Sequence, residues 1–591
     1  MNTDKLHRRY EFDWLRILAV LTVFFYHSTR FFNLSDWHVK NIDTYVWVEG
    51  WIVFASIWLM PLFFVISGAS LFYAIGSARD GLKFYSSKFL RLMIPVLFAS
   101  ITHSALQVYL ERLTHGRFSG SFLSFIPEYF SGLYLGIGMP GNFAFHGMHL
   151  WYLLFLFLYT MIFYRLFIWF MGNGHKVLNR IISLFSVPGS MYLGFSIPLV
   201  VMKAIIPGAV LSPGNGGWGF LYYIWFLIAG FMIVSNDRFQ QQIQSQRRLS
   251  LYLGVVFSAA YIIQRFGLSR MVLPVGVEDW VTSLLCFISA WSWLFAFLGF
   301  GMRHLAFNRP ILRDANEGVL PFFILHQTVL LAVGYFIMAT NLHDILKWML
   351  AVVISIVIIM AFYLLFIRKY ELLRFFFGMK TTRPFFSLFR GKSALATLHA
   401  LFVLLIVFSA VNPYPTGNRS RSPMPLTFDP GQDIVLDCEA ITERSSTGVQ
   451  VVAEEDASIG QAIEFQSGAN QHVEPRPLVY VEMKFSAPAG RYTVWLRGKS
   501  DMDNGYTDSI WLQVDDQIGS RRGIRLGNWL DIHPAGVYGW ASDMDDPVAI
   551  ELRRAGEHRI RIQPRQTPHK IDQILLSRLQ LRIPDTNQPI R

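Results

Sequence analysis

The segment FDWLRILAVLTVFFYHS, residues 12–28, indicates the class of this protein. It opens with the charged side chains of Asp13 and Arg16, continues as an apolar run and ends in Tyr26-His27-Ser28. A helix needs about 20 predominantly apolar residues to cross a bilayer. The segment therefore predicts a membrane-spanning helix that carries ionisable groups at both of its ends.

Apolar runs of similar length recur as far as residue 411 and then stop. Hydrophobic residues make up 53% of the 591 positions and charged residues only 16%, a balance that indicates a chain solvated mostly by lipid. We predict a multi-pass α-helical membrane bundle of about eleven transmembrane helices. The spans are placed near residues 14–32, 51–75, 92–110, 147–170, 189–206, 220–236, 250–266, 280–302, 319–340, 346–367 and 393–411.

The net charge of +12 combines +16 over residues 1–411 with −4 over residues 412–591. The basic residues lie in short loops between apolar runs, where they orient a membrane protein, so no nucleic-acid partner is expected. Cations are dense before the first span, in the even-numbered connections and from Arg368 to Lys392, and sparse in the odd-numbered connections. This asymmetry predicts a cytoplasmic N-terminus. Eleven spans then place the C-terminus outside.

The last 180 residues have a different pattern. Residues 412–426 are rich in Pro, Ser and Arg and are interpreted as a linker. Residues 427–591 contain short alternating segments separated by Gly, Asp and Pro, which is typical of an antiparallel β-sandwich. The predicted organisation is a ten-helix domain over residues 1–370, a basic cytoplasmic segment with the eleventh helix over 371–411, the linker, and an extracytoplasmic β-domain.

Arg16 and His27 are the first candidate functional residues. They are eleven positions apart, and at about 100° per residue this brings them within about 20° of the same helix face. Their separation along the axis is about 16 Å. Such a face suits a long anionic ligand that enters from the cytoplasm and delivers its reactive end to a base. The alternative interpretation is an anchoring arginine and a histidine that bonds to a neighbouring helix.

Other ionisable groups lie in or beside the apolar runs, where they are costly and often functional. His149 opens the fourth span and His326 lies inside the ninth, while Lys88 and Arg91 come at i, i+3 spacing just before the third. The two cations share a face that suits phosphate groups. No HExxH or comparable ligand spacing occurs, so no catalytic metal is expected.

In combination these segments resemble the acyltransferase-3 family of integral membrane proteins. The resemblance rests on Phe12–His27, with ten residues between Arg16 and His27, on Lys88–Pro95 and on His149-Leu150-Trp151, and it spans about residues 8–370. Four further segments resemble the glucan-succinylating branch called glucans biosynthesis protein C. They are Asp36–Lys40, Pro61–Gly68, Ala315-Asn316-Glu317 and Phe322–Thr328.

The resemblance implies an O-acyltransferase of the bacterial inner membrane. It implies cytoplasmic acyl-CoA as donor and, as acceptor, hydroxyls of a periplasmic glucan or cell-surface polysaccharide. His27 would be the general base. Arg16, Lys88 and Arg91 would hold the CoA phosphates, and His149 and His326 would orient donor and acceptor. Asp13, one turn before Arg16, is expected to pair with its guanidinium.

Three segments of the tail, Val435–Ala440, Gly490–Trp495 and Ile571–Ile574, resemble those of carbohydrate-binding jelly rolls. In such modules acids of the first and last strands often help to hold a structural calcium ion, which makes Glu439 and Asp572 candidate ligands. The aromatic side chains of Trp511, Trp529, Tyr538 and Trp540 are suited either to stack on sugar rings or to fill the core of the domain. If the tail binds the acceptor, it raises the acceptor's effective concentration at the transfer site.

Two other function classes fit parts of the pattern. A transporter or flippase of lipid-linked sugars would use the polar groups to line a pathway, but it predicts an internal repeat, and no convincing repeat is present. A sugar-sensing membrane receptor would leave the intramembrane histidines without a role. The identity of the acyl group, the acceptor and the oligomeric state stay open.

Overall fold

A computed structural model divides the chain into two compact units, residues 1–114 with 120–414 and residues 115–119 with 415–591. The residues that the structure describes are 9–33, 35, 37–41, 43–77, 80–115, 118, 120–137, 141–185, 189–206, 219–265, 275–340, 342–382, 389, 391–412, 433–466, 473–500, 509–520, 523–527, 536–542, 548–565, 567–578 and 588–590. Apart from Asn412, the predicted linker lies outside them.

The first unit is helical. Its helices are α1 (Tyr10–Thr29), α2 (Val46–Gly76), α3 (Gly81–Lys88), α4 (Ile94–Ile101), α5 (Ser104–Thr114), α6 (Phe122–Tyr129), α7 (Trp151–Ile162), α8 (Tyr164–Met171), α9 (His175–Leu184), α10 (Ser190–Ile205), α11 (Phe220–Val234), α12 (Asp237–Ser245), α13 (Arg247–Arg265), α14 (Val275–His304), α15 (Pro310–Met338), α16 (Asp344–Phe362), α17 (Glu371–Phe376) and α18 (Lys392–Val411). A π-turn, Phe89–Met93, joins α3 to α4, and a single 3₁₀ turn, Met148–Leu150, precedes α7.

Within the described residues, six helices are long and apolar enough to span a membrane, or eight if each of two bent helix pairs forms one span. This confirms a helical membrane region, whereas the number eleven stays a prediction. Helix α1 is not among the six, because its charged and polar side chains, including Asp13, Arg16 and His27, dilute its apolar character. The segment predicted as one span over residues 92–110 is interrupted, because the helix ends at Ile101 and α5 begins at Ser104.

Helix α2 forms the centre of this unit, with 83% of its apolar stretch buried. It packs closely against α11 through two glycines. A Cβ at Gly68 would lie 2.0 Å from the carbonyl oxygen of Leu227, and a Cβ at Gly230 would lie 2.1 Å from that of Val65. Glycine therefore permits a backbone approach that any larger residue would prevent.

The π-turn before α4 has a local cause. Pro95 has no N–H, so the carbonyl of Arg91 loses the helical donor four residues ahead. The N–H of Ile94 instead donates to the carbonyl of Phe89, five residues back. Single π-turns inside helices are frequent at functional sites, and this one carries Arg91.

The second unit is an antiparallel β-domain, as predicted. Its strands are β1 (Asp433–Leu436), β2 (Ile441–Arg444), β3 (Val449–Ala453), β4 (Gln461–Phe465), β5 (Val481–Ala487), β6 (Gly490–Lys499), β7 (Ser509–Val514), β8 (Ile524–Gly527), β9 (Gly539–Ala541), β10 (Val548–Leu552), β11 (Gly556–Pro564) and β12 (His569–Ser577). One sheet has the order β10-β6-β12-β4-β3, with β1 paired to β12 and β9 to β6; the other has the order β2-β5-β11-β7-β8. Apolar side chains of both sheets belong to one buried cluster, which includes Val481 and Met483 of β5 and Val494 and Leu496 of β6.

Candidate active site

Helix α1 carries both residues of the predicted pair on one continuous helix. Arg16 donates from Nη1 to Asp13 at 3.3 Å, the ion pair that the spacing predicts, and from Nη2 to the Ser70 hydroxyl of α2 at 2.9 Å. His27 lies near the other end of α1, half-buried and stacked on the Trp37 ring at 5.5 Å. Neighbouring helices and loops therefore fix the positions of both side chains.

His27 is joined to His326 of α15. Nδ1 of His27 lies 2.9 Å from Nε2 of His326, and the two rings stack with centroids 5.1 Å apart and 9° between their planes. The His326 side chain is fully buried, and its Nδ1 lies 2.7 Å from the carbonyl oxygen of Phe323. The two predicted residues therefore form one hydrogen-bonded pair.

His149 completes a group of three imidazoles. Its ring centroid is 4.7 Å from that of His326 and 6.3 Å from that of His27. Its Nε2 donates to the carbonyl oxygen of Phe323 at 2.8 Å, because a carbonyl can only accept. The buried Nδ1 of His149 has no hydrogen-bond partner in the part of the chain that the structure describes. All three predicted histidines thus lie together, whereas the roles assigned to them stay a prediction.

Hydrogen bonds occupy most of the ring nitrogens of the three imidazoles. Over the described ranges, no group of three or more His, Cys, Asp or Glu side chains is arranged to hold a metal ion. The reason is visible in the contacts, because one nitrogen of His326 and one of His149 bond to the Phe323 carbonyl and the other nitrogen of His326 faces His27.

Three cations form a second group near the beginning of α1. Arg16 lies close enough to Lys88 and Arg91 for their charges to interact. The ammonium of Lys88 lies 5.3 Å from the centre of the Phe84 ring, and Arg91 is exposed. Asp13 pairs with Arg16, and among the described side chains neither Lys88 nor Arg91 has an ion-pair partner. Three mutually repelling cations with the single carboxylate of Asp13 beside them form a suitable site for a polyanion such as a phosphate ester.

A buried polar network beside His326 was not predicted from the sequence. Gln327 follows His326, and its Nε2 donates to Gln107 at 3.0 Å and lies 3.4 Å from Nε2 of His38. Gln107 in turn donates to the Thr328 hydroxyl at 2.6 Å. These amides are almost completely buried, so the network fixes the turn of α15 that carries His326.

An ion-pair cluster continues this network. The fully buried carboxylate of Glu111 contacts Nδ1 of His38 at 2.5 Å, Nη1 of Arg112 at 3.1 Å and the Tyr134 hydroxyl at 2.6 Å. Arg112 also donates to the Asn142 side chain at 3.0 Å. The sequence holds one weak signal for this cluster, since Glu111 and Arg112 are adjacent charges directly after the span predicted over residues 92–110.

The two acids proposed as calcium ligands lie in the β-domain. Asp572 is buried and accepts a hydrogen bond from the Arg497 guanidinium. It also accepts from the backbone N–H and the hydroxyl of Ser458, at 2.8 and 2.7 Å. Glu439 is exposed on a 3₁₀ turn. An acid that is saturated by a guanidinium and a hydroxyl has little capacity left for a cation. The calcium site stays a prediction that these contacts do not support.

The aromatic residues of the tail divide between core and surface. Trp540 and Tyr538 are buried, and the Tyr538 ring lies under the Arg497 guanidinium at 4.7 Å. Trp511 is partly exposed, and Trp529 lies outside the described residues. Burial favours a structural role for Trp540 and Tyr538 over stacking on sugars.

Residues 9–368 match the acyltransferase-3 family model, described as an acyltransferase domain, and this match covers more than half of the chain. The chain belongs to the acyltransferase-3 family. The matched region contains the three histidines and the three cations described above. Membership indicates membrane O-acyltransferase activity and gives no support to the transporter or receptor interpretations. The glucans biosynthesis protein C branch stays a prediction.

The β-domain of this acyltransferase-3 protein lies outside the matched residues. Solved structures similar to part of the chain include a family 35 carbohydrate-binding module from Clostridium thermocellum, with 17% identity, a TM-score of 0.18 and coverage of 24% of this chain and 98% of that one. A GH26-CBM35 β-(1,4)-mannanase from Podospora anserina has 16% identity, a TM-score of 0.18 and coverage of 25% and 28%. The C-terminal CBM6 of a laminarinase from Zobellia galactanivorans has 12% identity, a TM-score of 0.17 and coverage of 25% and 99%. No curated protein matches the chain.

Proposed function

We propose that this acyltransferase-3 protein transfers an acyl group, succinyl or acetyl, from cytoplasmic acyl-CoA to hydroxyls of a periplasmic glucan or cell-surface polysaccharide. The proposal includes a multi-pass location in the bacterial inner membrane, a cytoplasmic N-terminus and a periplasmic C-terminal domain. The charge distribution along the chain supports this orientation. Family membership supports the reaction class.

The hydrogen-bonded pair of His27 and His326 carries the proposal. The Phe323 carbonyl can only accept, so Nδ1 of His326 holds a proton and, in the neutral ring, Nε2 is an acceptor. Nδ1 of His27 therefore donates to it, and the lone pair of the His27 ring resides on Nε2. These tautomers follow from the hydrogen-bond network. A fixed imidazole with a free Nε2 lone pair is the arrangement that a general base requires.

The reaction follows from that lone pair. His27 Nε2 removes the proton of the acceptor hydroxyl as the oxygen attacks the thioester carbonyl, and the new C–O bond forms a tetrahedral intermediate. The intermediate then breaks its C–S bond. The CoA sulfur leaves with the proton that His27 has carried, so the imidazole returns to its starting state. The His326 ring stabilises the charged imidazole by accepting its Nδ1–H.

The cations near the start of α1 suit the other end of the donor. Arg16, Lys88 and Arg91 supply three positive charges against one paired carboxylate, Asp13. On one helix, Arg16 and His27 are separated by about 16 Å along the axis. A donor with phosphates at one end and a thioester at the other fits such a separation.

Mass spectrometry of extracytoplasmic glycans tests the proposal in cells that express the wild type, His27→Ala or His175→Ala. His175 is exposed on α9 and serves as the matched control. We expect acylated glycans with the wild type and His175→Ala and none with His27→Ala. Glycan acylation by His27→Ala at the level of the wild type would reject His27 as the general base. An altered amount of glycan with unchanged acylation would instead favour transport.

A further inference from the structure

Helix α18 lies in sequence between the family-matched domain and the β-domain, and most of its side chains are exposed. Only 11% of its apolar stretch is buried, and Leu401, Leu404 and Val411 are 57%, 63% and 72% exposed. These side chains suit contact with lipid. Yet His399 lies in the middle of the helix, where an imidazole is costly unless a partner satisfies it.

His399 has such partners on the helix that leads to the cationic group. Its Nε2 lies 2.6 Å from the hydroxyl of Tyr85, and its Nδ1 lies 2.6 Å from the carbonyl of Leu395. The carbonyl fixes the proton on Nδ1, so Nε2 accepts from Tyr85. The imidazole also stacks on Phe89, with ring centroids 4.2 Å apart. One tautomer and one ring orientation are thereby set.

Tyr85 and Phe89 lie close in sequence to two of the cations proposed to bind the donor, since Tyr85 is three residues before Lys88 and Phe89 lies between Lys88 and Arg91. Phe89 begins the π-turn that carries Arg91, and Lys88 immediately precedes it. Phe157 of α7 lies 5.7 Å from both the Tyr85 and the Phe89 rings. His399 of α18 and Phe157 of α7 therefore both contact Tyr85 and Phe89. Helix α7 directly follows the 3₁₀ turn that contains His149. Loss of the imidazole would leave the Tyr85 hydroxyl without its acceptor and the Phe89 ring without its stacking partner.

The C-terminal end of α18 is also held by hydrogen bonds. The N–H of Gly132 donates to the carbonyls of Ser409 and Asn412 at 2.8 and 2.9 Å, and the Asn412 side chain donates to the carbonyl of Phe130 at 2.9 Å. Helix α18 is thus bonded near its middle and at its C-terminal end to the domain that it follows. Hydrogen bonds of this kind fix the rotation and height of a helix that is otherwise exposed.

We propose that His399 is a positioning residue for the acyl donor: through Tyr85 and Phe89 it holds the π-turn that presents Lys88 and Arg91 to the phosphates of CoA. The helix that carries the β-domain is then part of the donor site, although His399 lies outside the family match at residues 9–368. This inference rests on the proposed function, since it assumes that the cations bind the donor.

Calorimetric titration of the purified full-length protein with free CoA tests the inference, alongside kcat and donor KM with an acyl-CoA. His399→Ala and Tyr85→Phe are each expected to weaken CoA binding about three- to thirtyfold, the range typical of coupling through packed side chains. Donor KM rises by the same factor, and kcat stays within about twofold. His399→Gln, which retains an acceptor, restores part of the affinity. Leu404→Ala, on the exposed face of α18, binds CoA as the wild type does.

Three outcomes overturn the inference. The first is His399→Ala binding CoA as tightly as the wild type. The second is a lower melting temperature with unchanged CoA affinity in the folded fraction, which assigns His399 a purely structural role. In both cases the wild type still binds CoA and transfers the acyl group, so the proposed function stands. The third is a wild type that neither binds CoA nor transfers an acyl group, in which case both proposals fail.

Discussion

The imidazoles of His27 and His326 stack with 9° between their planes, and Nδ1 of the first lies 2.9 Å from Nε2 of the second. The two residues are 299 positions apart in the sequence. This contact joins the first helix to α15 and fixes which nitrogen of His27 holds the lone pair. The role of each ring can therefore be tested separately.

Replacing His326 should impair the chemical step and leave donor binding intact. We expect His326→Ala to lower kcat about a hundredfold, because His27 loses the acceptor that fixes its tautomer and stabilises its charged form. Donor KM should change less than about twofold. Release of CoA thiol measures both quantities. His304→Ala, at an exposed position of α14, is the control, and a His326→Ala enzyme with normal kcat would contradict the assigned role.

Replacing Lys88 or Arg91 should weaken donor binding and leave the chemical step intact. We expect Lys88→Met and Arg91→Met each to raise donor KM about three- to tenfold, with kcat little changed, because each contributes a charge to phosphate binding. The wild-type donor KM should rise with ionic strength, since the Debye length shortens. Lys176→Met on α9 is the matched control. A donor KM that is insensitive to salt and to both substitutions would argue against this site.

The buried ion-pair cluster should be a major contributor to stability. Arg112→Leu leaves the Glu111 carboxylate buried without its guanidinium partner, and we expect a loss of about 3 to 5 kcal/mol. Thermal unfolding of the solubilised protein measures the change. The surface pair of Lys484 and Glu557, 46% and 68% exposed, provides the contrast. Lys484→Ala should change stability by less than about 1 kcal/mol.

The close approach of α2 and α11 should tolerate no side chain at Gly230. A Cβ there would meet the Val65 carbonyl at 2.1 Å, so Gly230→Ala should separate the helices and lower the melting temperature by several degrees. Gly50→Ala, in the same helix as Val65, is the control because nothing lies within 4 Å of its added Cβ. Equal melting temperatures for the two variants would contradict the packing described.

The β-domain should lose stability in acid through Glu454. Burial raises the pKa of this carboxyl, but the hydrogen bonds and charges of Lys499 and Lys570 outweigh that effect and hold the pKa below its ordinary value. The unfolded chain then binds more protons than the folded one as pH falls below about 4, so the stabilisation is present above that range and lost beneath it. Glu454→Gln should flatten the acid limb of the melting-temperature profile, and an unchanged limb would contradict the prediction.

Much of this molecule is predictable from the pattern of apolar runs and from the high energetic cost of placing ionisable side chains in lipid. The apolar run that contains Arg16 and His27 forms one helix, and the change in composition after residue 411 marks the end of the helical region. His149 and His326 stand out in the sequence because ionisable groups in apolar runs seldom lack a role. These arguments need only local sequence.

The remaining features depend on contacts between distant segments. Nothing in the sequence pairs His27 with His326, His38 with Glu111 or Tyr85 with His399. Pro95 marks an interruption of a helix, but it does not reveal that Gly378 packs against the Arg91 carbonyl, from which an added Cβ would lie only 2.5 Å away. Tertiary packing decides such details, and a single sequence does not reveal it.

Transfer of a labelled acyl group across a membrane tests the central claim most directly. Proteoliposomes with the protein inserted would receive acyl-labelled CoA on the side of its N-terminus and hold the glucan on the other side. We predict that the wild type and His304→Ala deposit label on the glucan and that His27→Ala deposits none. Label on the glucan with His27→Ala at the wild-type rate would contradict the account.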